Sequence, residues 1–103
     1  MTDPPFTSTV AERDGEVVVV VCGDVDIETA PLLFAAIQEA TTSDVLVVVD
    51  LAQSRFIDSS GLGALVRAAN LAGPGRLAVR SPRRQARKLL EVTGISGLIA
   101  VVG

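Results

Sequence analysis

Phe56-Ile57-Asp58-Ser59-Ser60-Gly61-Leu62-Gly63 is the stretch on which the reading of the fold turns. It follows an apolar, strand-like segment, Val45–Leu51. It opens a segment in which Leu62, Leu65, Val66 and Ala69 recur at the spacing of one helical face. Ser59 therefore falls where a helix starts, among backbone N–H groups without intrahelical partners and at the positive end of the dipole. A phosphoryl group placed there would meet favourable local electrostatics. The chain contains no histidine, so this serine has no imidazole to activate it. It reads as a residue acted upon by another protein, a switch rather than a nucleophile.

Upstream, Phe6, Ser8 and Val10 alternate with polar residues, and Arg13-Asp14-Gly15-Glu16 supplies an Asp-Gly turn before the apolar run Val17–Cys22. This predicts an antiparallel hairpin whose second strand is apolar on both faces and hence central. Gly23-Asp24-Val25-Asp26 breaks the strand. A helix is expected from about Thr29, with Pro31 in its first turn and an apolar stripe of Leu33, Ala36, Ile37 and Ala40. Ser43-Asp44 and Gln53-Ser54 bound the strand Val45–Leu51. Downstream, a helix over about Ser60–Ala72 stops at Gly73-Pro74-Gly75. Leu77-Ala78-Val79 is a short strand. Ser81 is expected to cap a helix that has Pro82 at its first position and runs to about Val92. Gly94 ends it, and Leu98–Val102 forms the last strand. The order β-β-α-β-α-β-α-β predicts an α/β fold, a mixed sheet of four to five strands packed with helices. The 103 residues are expected to form one domain, residues 1–103, with residues 1–5 a flexible terminus.

Composition narrows the function classes. No uninterrupted apolar run exceeds Val17–Cys22 in length, and that run is too short to span a bilayer. Met1-Thr2-Asp3-Pro4-Pro5 lacks the basic and apolar regions of a secretory signal. The lone Cys22 cannot form an internal disulfide and is expected to pack as a small hydrophobe, too buried for redox control. A reducing cytoplasm is the expected compartment, and no metal is expected from one cysteine without histidine. The net charge of −3 conceals an asymmetry. Residues 1–58 hold eleven of the twelve acids and, as bases, only Arg13 and Arg55; residues 59–103 hold seven bases and one acid, Glu91. Opposed poles suit different protein partners; ordinary solvated surface accounts for most of the same charges.

On a wheel at 100° per residue with Ser59 as N-cap, Ser59, Ser60, Gly63, Arg67 and Asn70 share the arc opposite Leu62, Leu65 and Ala69. The serine face is thus expected to be smooth and solvent-facing. Gly61 and Gly63 each cost roughly 1 kcal/mol relative to alanine inside a helix. Close approach of a partner offsets that cost in one reading, and is favoured for Gly63. Tight packing on the sheet is the other, equally weighted for Gly61. Asp58 is either a helix-cap acceptor or a residue that orients the Ser59 hydroxyl or meets a partner, and either serine could be the cap. Asp24 and Asp26 could perform acid/base work or hold a cation. Without a third ligand or histidine, two such acids more often cap the next helix or face a basic partner.

Arg80, Arg83, Arg84, Arg87 and Lys88 cluster on the third expected helix. Nucleic-acid binding is the sharp reading. An acidic chain, no aromatic in the stretch, and Ala86, Leu89 and Leu90 as core anchors favour a solvated face. Enzyme readings find little support: no GxxxxGK[ST] loop, no dinucleotide-site pattern around Gly61-Leu62-Gly63, no G-x-S-x-G elbow, and one lysine, Lys88, as the sole alternative base.

Asp58-Ser59-Ser60-Gly61-Leu62-Gly63, preceded by Val47-Val48-Val49-Asp50-Leu51 and Phe56, resembles the phosphorylation motif of bacterial anti-sigma factor antagonists, the stand-alone members of the STAS domain family. Gly23-Asp24-Val25-Asp26 with Thr29-Ala30 is similar to that family's Gly-Glu-Leu-Asp segment, and Ser81-Pro82 with Leu89-Leu90 and Thr93-Gly94 to its last helix and turn. Three motifs in order span almost the whole chain. The resemblance implies that Ser59 is phosphorylated by an anti-sigma factor that is itself a GHKL-type serine kinase. It implies that the unmodified protein binds that kinase and frees a sigma factor, and that a PP2C-type phosphatase restores the active form. ATP belongs to the kinase; no cofactor, DNA, RNA or membrane contact is implied for this chain, which is no enzyme. Asp24, Asp26, Asp58, Ser60, Gly61, Gly63 and Arg67 are then the expected partner surface around Ser59. The alternative is an unmodified STAS scaffold or transporter-associated subunit. Some relatives suggest redox control instead of phosphorylation. Two departures stand out: Asp24 replaces the commoner glutamate, with shorter reach, and the chain stops just after its last strand, where many relatives continue into a C-terminal capping helix.

Overall fold

The computed structural model describes residues 5–41 and 45–103. Five strands, β1 (Thr7–Arg13), β2 (Glu16–Cys22), β3 (Leu46–Gln53), β4 (Leu77–Arg80) and β5 (Ala100–Val102), form one sheet in chain order. Helices α1 (Ala30–Ala40), α2 (Ser59–Ala72) and α3 (Arg84–Val92) connect the parallel strands. β1 pairs antiparallel with β2 through a two-residue turn, and the remaining pairs are parallel. Asp14 and Gly15 both have positive φ, 52° and 79°, as a type I′ hairpin turn requires.

The strand order explains the layering. Each crossover moves one strand further in the same direction, so right-handed connections deliver all three helices to one face. On that face Val17, Val19 and Val21 of β2, Val47, Val49 and Leu51 of β3, and Leu77 and Val79 of β4 share a core with Leu33 and Ile37 of α1, Leu62 and Leu65 of α2, and Ala86 and Leu90 of α3. Burying each of the larger aliphatic side chains contributes about 1.5–3 kcal/mol. Among the described residues the opposite face carries no helix. There Glu16 on β2 and Arg80 on β4 form an ion pair at 2.7 Å. Glu16 lies beside Leu46 and Arg80 beside Asp50, so the pair reaches across β3 over Val48, which is 1% exposed.

The α/β class, the element order and the central place of β2 agree with the sequence reading, and the sheet has five strands. Several details differ. Ser81 is not a cap: its φ is +53°, a left-handed conformation, whereas an N-cap is extended. Its N–H instead donates to the Val102 carbonyl at 2.7 Å, and α3 begins at Arg84, after Arg83 as N-cap. Ser59 is not a cap either, because Asp58 takes that position. The last strand is shorter than expected, since the Leu98 and Ile99 N–H groups both donate to the Ile95 carbonyl, closing the 3-10 turn Ile95–Gly97 and leaving β5 to begin at Ala100. β3 continues to Gln53. Val66 and Ala36 are only half-buried, while Ala64 and Ala68 widen the buried side of α2. Cys22 is half-buried on the helix-free face, not sealed in the core. The expected boundary at Ser43-Asp44 and the first four residues of the expected flexible terminus lie outside the described residues.

Candidate functional site

The site forms where β2 and β3 end. The β2–β3 register shifts between Val20 and Cys22, and Gly23 N–H then reaches the Gln53 carbonyl at 3.2 Å. Irregularities of this kind re-aim a strand end. Beyond the shift the chains meet once more, as an isolated parallel bridge between Val25 and Ile57. Val25 N–H donates to Phe56 O at 2.9 Å and Asp58 N–H to Val25 O at 3.0 Å. The bridge lays Asp24-Val25-Asp26 alongside Phe56-Ile57-Asp58. Val25 and Ile57 are buried, and the polar residues flanking them are carried to the surface.

Asp58 is the N-cap of α2. Its Oδ1 accepts from Ser60 N–H at 2.8 Å and from Gly61 N–H at 3.1 Å, so two of the helix's orphan donors are already satisfied. Ser59 is the first helical residue, exposed, and its hydroxyl makes no hydrogen bond among the described residues. Ser60 is half-buried. The alternatives left by sequence are therefore resolved for the cap: Asp58 fills it, and neither serine does.

The two glycines separate. A Cβ on Gly61 would lie 2.5 Å from Ile57 Cγ1 and 2.6 Å from Val25 Cγ1, so its absence lets α2 pack on the bridge. A Cβ on Gly63 would meet nothing within 4 Å. One turn further along the same exposed face, the Arg67 guanidinium sits 4.2 Å from the centroid of the Phe34 ring on α1. Ser59, Gly63 and Arg67 thus line one side of α2, spanning about 12 Å at 1.5 Å per residue.

Asp24 and Asp26 have different surroundings. Asp26 Oδ1 accepts from Glu28 N–H at 2.9 Å and Thr29 N–H at 3.1 Å, and Thr29 Oγ1 donates to it at 3.2 Å. The same hydroxyl accepts from Asp26 N–H at 2.9 Å and lies 3.0 Å from Asp24 O. The Thr29 N–H, above all, holds the Asp26 carboxyl below its ordinary value of 3.8; burial opposes this, and the Glu28 N–H and Thr29 hydroxyl reinforce it. Asp26 thus organises the entry to α1. The Asp24 carboxylate makes no hydrogen bond among the described residues and is half-buried at the surface. No group of three histidine, cysteine or acidic residues that could hold a metal occurs among the described residues.

Sequence reasoning missed three residues here. Ile27 is 75% exposed at the tip of the Asp24–Thr29 loop, and Phe56 is 42% exposed beside it. The legible signal for Ile27 was an apolar residue lying outside the stripe of α1. Gln85 of α3 is the third: it accepts from Ile57 N–H at 2.9 Å and donates to Ile57 O at 2.8 Å. No local pattern announces a contact so distant in sequence.

These features define a class: a small α/β fold, helices on one sheet face, presenting an unbonded serine at a helix start beside an acidic, apolar-tipped loop. Residues 8–102 match the protein family described as "Mlab, STAS domain", and the chain belongs to the STAS domain family. It is similar over 95% of its length, with 30% identity and a TM-score of 0.85, to an anti-sigma factor antagonist from Mycobacterium paratuberculosis, 86% of which is covered. Unphosphorylated SpoIIAA aligns at 21% identity and a TM-score of 0.67, over 96% of this chain and 89% of that one. The phosphorylated form of SpoIIAA, a Bacillus cell fate determinant, aligns at 21% identity and 0.65, over 96% and 92%. The SpoIIAA likenesses carry the fold alone. Among curated protein sequences none matches the chain. No helix among the described residues is long and apolar enough to cross a membrane.

Proposed function

We propose that this protein is an anti-sigma factor antagonist that works by exchanging partners. Unmodified, it binds a cognate anti-sigma factor, a GHKL-type serine kinase, and so releases the sigma factor. The kinase, using its own ATP, phosphorylates Ser59 and the complex weakens; a PP2C-type phosphatase reverses the step. The chain is substrate and ligand in this cycle, not catalyst, and it works in the cytoplasm without contacting DNA, RNA or membrane. The similarity to the mycobacterial antagonist supports the general role. The observation that carries the switch is the exposed, unbonded Ser59 hydroxyl held at the first position of α2 by the Asp58 cap.

Asp24, Asp58, Ser60, Gly63 and Arg67 make the partner surface around Ser59; Asp26 supports it by shaping the loop, and Gly61, buried, by letting α2 pack on the Val25–Ile57 bridge rather than by touching the partner. Ile27 supplies the apolar anchor. A phosphate adds roughly −1.5 to −2 charges beside Asp24, Asp26 and Asp58. It therefore acts by bulk and repulsion at the interface, with the domain still folded. Incubation with candidate kinases and ATP should add one phosphate mass at Ser59. Ser59→Ala should bind the kinase constitutively with unchanged far-UV circular dichroism. An unmodified Ser59 in the presence of a kinase that binds the protein tightly would reject the switch.

A further inference from the structure

Helix α3 carries more apolar surface than its packing requires. Ala86 and Leu90, each 1% exposed, point into the core. Gln85, Leu89 and Val92 lie on a second stripe at i, i+4, i+7 spacing, and Val92 is 73% exposed. That stripe floors a groove of about 660 Å³ whose walls are Arg55, Arg83, Arg84 and Lys88. Glu91, the one acid of α3, does not line it. Arg87 is turned elsewhere, donating to the carbonyls of Gly103 and Pro82 at 2.6 and 3.4 Å.

The chemistry of the groove selects its occupant. Single-stranded nucleic acid is held on stacking aromatics, and none lines this groove. Small ligands are bound in clefts that bury most of their surface; the exposure of Val92 shows the groove lying open. A membrane-seeking helix buries a broad face of Trp, Phe and Leu, whereas α3 is nine residues long and offers only Leu89 and Val92 here. An apolar floor along a helix, flanked by cations, complements an amphipathic helix with acidic flanks. We propose that the α3 groove docks an acidic amphipathic helix of a partner protein, with its apolar residues on Leu89 and Val92 and its carboxylates against Arg83, Arg84 and Lys88. The site is separate from Ser59 and does not depend on its modification. It adjoins the Ser59 loop through Gln85, which lines the groove and bonds to Ile57.

The test uses the full chain and a fluorescein-labelled synthetic peptide of about 18 residues, helix-forming, with leucines at i, i+3, i+4 and i+7 and glutamates on the flanks. Fluorescence anisotropy should show saturable binding that weakens several-fold when NaCl rises from about 50 to about 200 mM. Arg84→Glu combined with Lys88→Glu should weaken binding about tenfold or more, and so should Val92→Asp. All three positions are exposed, so folding should persist by circular dichroism. A scrambled peptide of identical composition should bind at least about tenfold more weakly. Absence of binding, equal binding of the scrambled peptide, or indifference to the substitutions overturns the proposal. So does a groove-dependent preference for phosphatidylglycerol vesicles or a single-stranded oligonucleotide over the peptide.

Discussion

Gln85 and Ile57 are joined by two hydrogen bonds, the side-chain amide donating to the Ile57 carbonyl at 2.8 Å and accepting from its N–H at 2.9 Å. A residue of α3 thereby fixes the backbone immediately before Asp58 and Ser59. Gln85→Ala strands both Ile57 groups in a buried position, which costs about 1–3 kcal/mol. Urea denaturation should register that loss with an unchanged m-value. A loss under about 0.5 kcal/mol would mean that water replaces the amide without penalty.

Gly61 and Gly63, two residues apart on one helix, should respond to alanine with opposite signs. At Gly61 the new methyl meets Ile57 Cγ1 and Val25 Cγ1, atoms of side chains 1% and 0% exposed with nowhere to retreat. Overpacking of this kind costs about 1–3 kcal/mol and exceeds the gain in helix propensity of about 1 kcal/mol. At Gly63 the methyl enters open space, so only the propensity gain operates and stability should rise by about 0.5–1 kcal/mol. The price should appear in binding, because a partner lying against that smooth face must now clear a methyl group. Paired unfolding and kinase-binding measurements on the two variants check both halves. A Gly63→Ala protein that is more stable and binds unchanged would remove Gly63 from the interface.

Periodicity carried the fold because each element buries a separate, locally encoded face. The alternation in β1, the two-sided apolar runs of β2 and β3, and the stripes of α1 and α2 were all legible in sequence. The exposed face of α2, with Ser59, Gly63 and Arg67, followed from the same wheel. What escaped were features set by backbone conformation or by distant contact. Ser81-Pro82 has the composition of a helix start, yet the Val102 carbonyl draws the Ser81 N–H into β5 pairing and the residue into positive φ. Asp58 and Ser59 compete for the same cap, and composition alone ranks them equally. The helix-free face left Cys22 half-buried because an apolar run states that a strand is central without stating that both faces are covered.

The loop that carries Ile27 should loosen in acid. Asp26 has its carboxyl held below the ordinary value, first by the Thr29 N–H. For a depressed carboxyl the stabilisation is complete above the unfolded-state value of about 3.9 and disappears as pH falls through the folded-state value. Stability should therefore not vary with pH through Asp26 near neutrality and should decline below about pH 4 as the proton displaces the Glu28 and Thr29 donors. Amide hydrogen exchange at Glu28 and Thr29 measured downward from pH 5 should show protection lost in that window. In Asp26→Asn the same amides should show no such titration. Protection that persists unchanged to about pH 2 would show the turn to be held by Thr29 alone.

Phosphorylation at Ser59 and the Asp58 carboxylate should be coupled through the N–H groups of Ser60 and Gly61. In the unmodified protein Asp58 Oδ1 holds both, so an arriving phosphate finds the helix start already capped and a like charge beside it. Phosphorylation of the parent should then leave stability unchanged or slightly lower. Asp58→Ala should cost about 0.5–2 kcal/mol by freeing the two donors. In that variant a phosphate on Ser59 can accept them, gaining from the helix dipole as well, so phosphorylation should be stabilising. The four species, prepared with phosphoserine incorporated at position 59, form a double-mutant cycle readable by urea unfolding. A coupling energy near zero would show that the phosphate projects away from the helix start. The interface repulsion would then rest on the phosphate with Asp24 and Asp26.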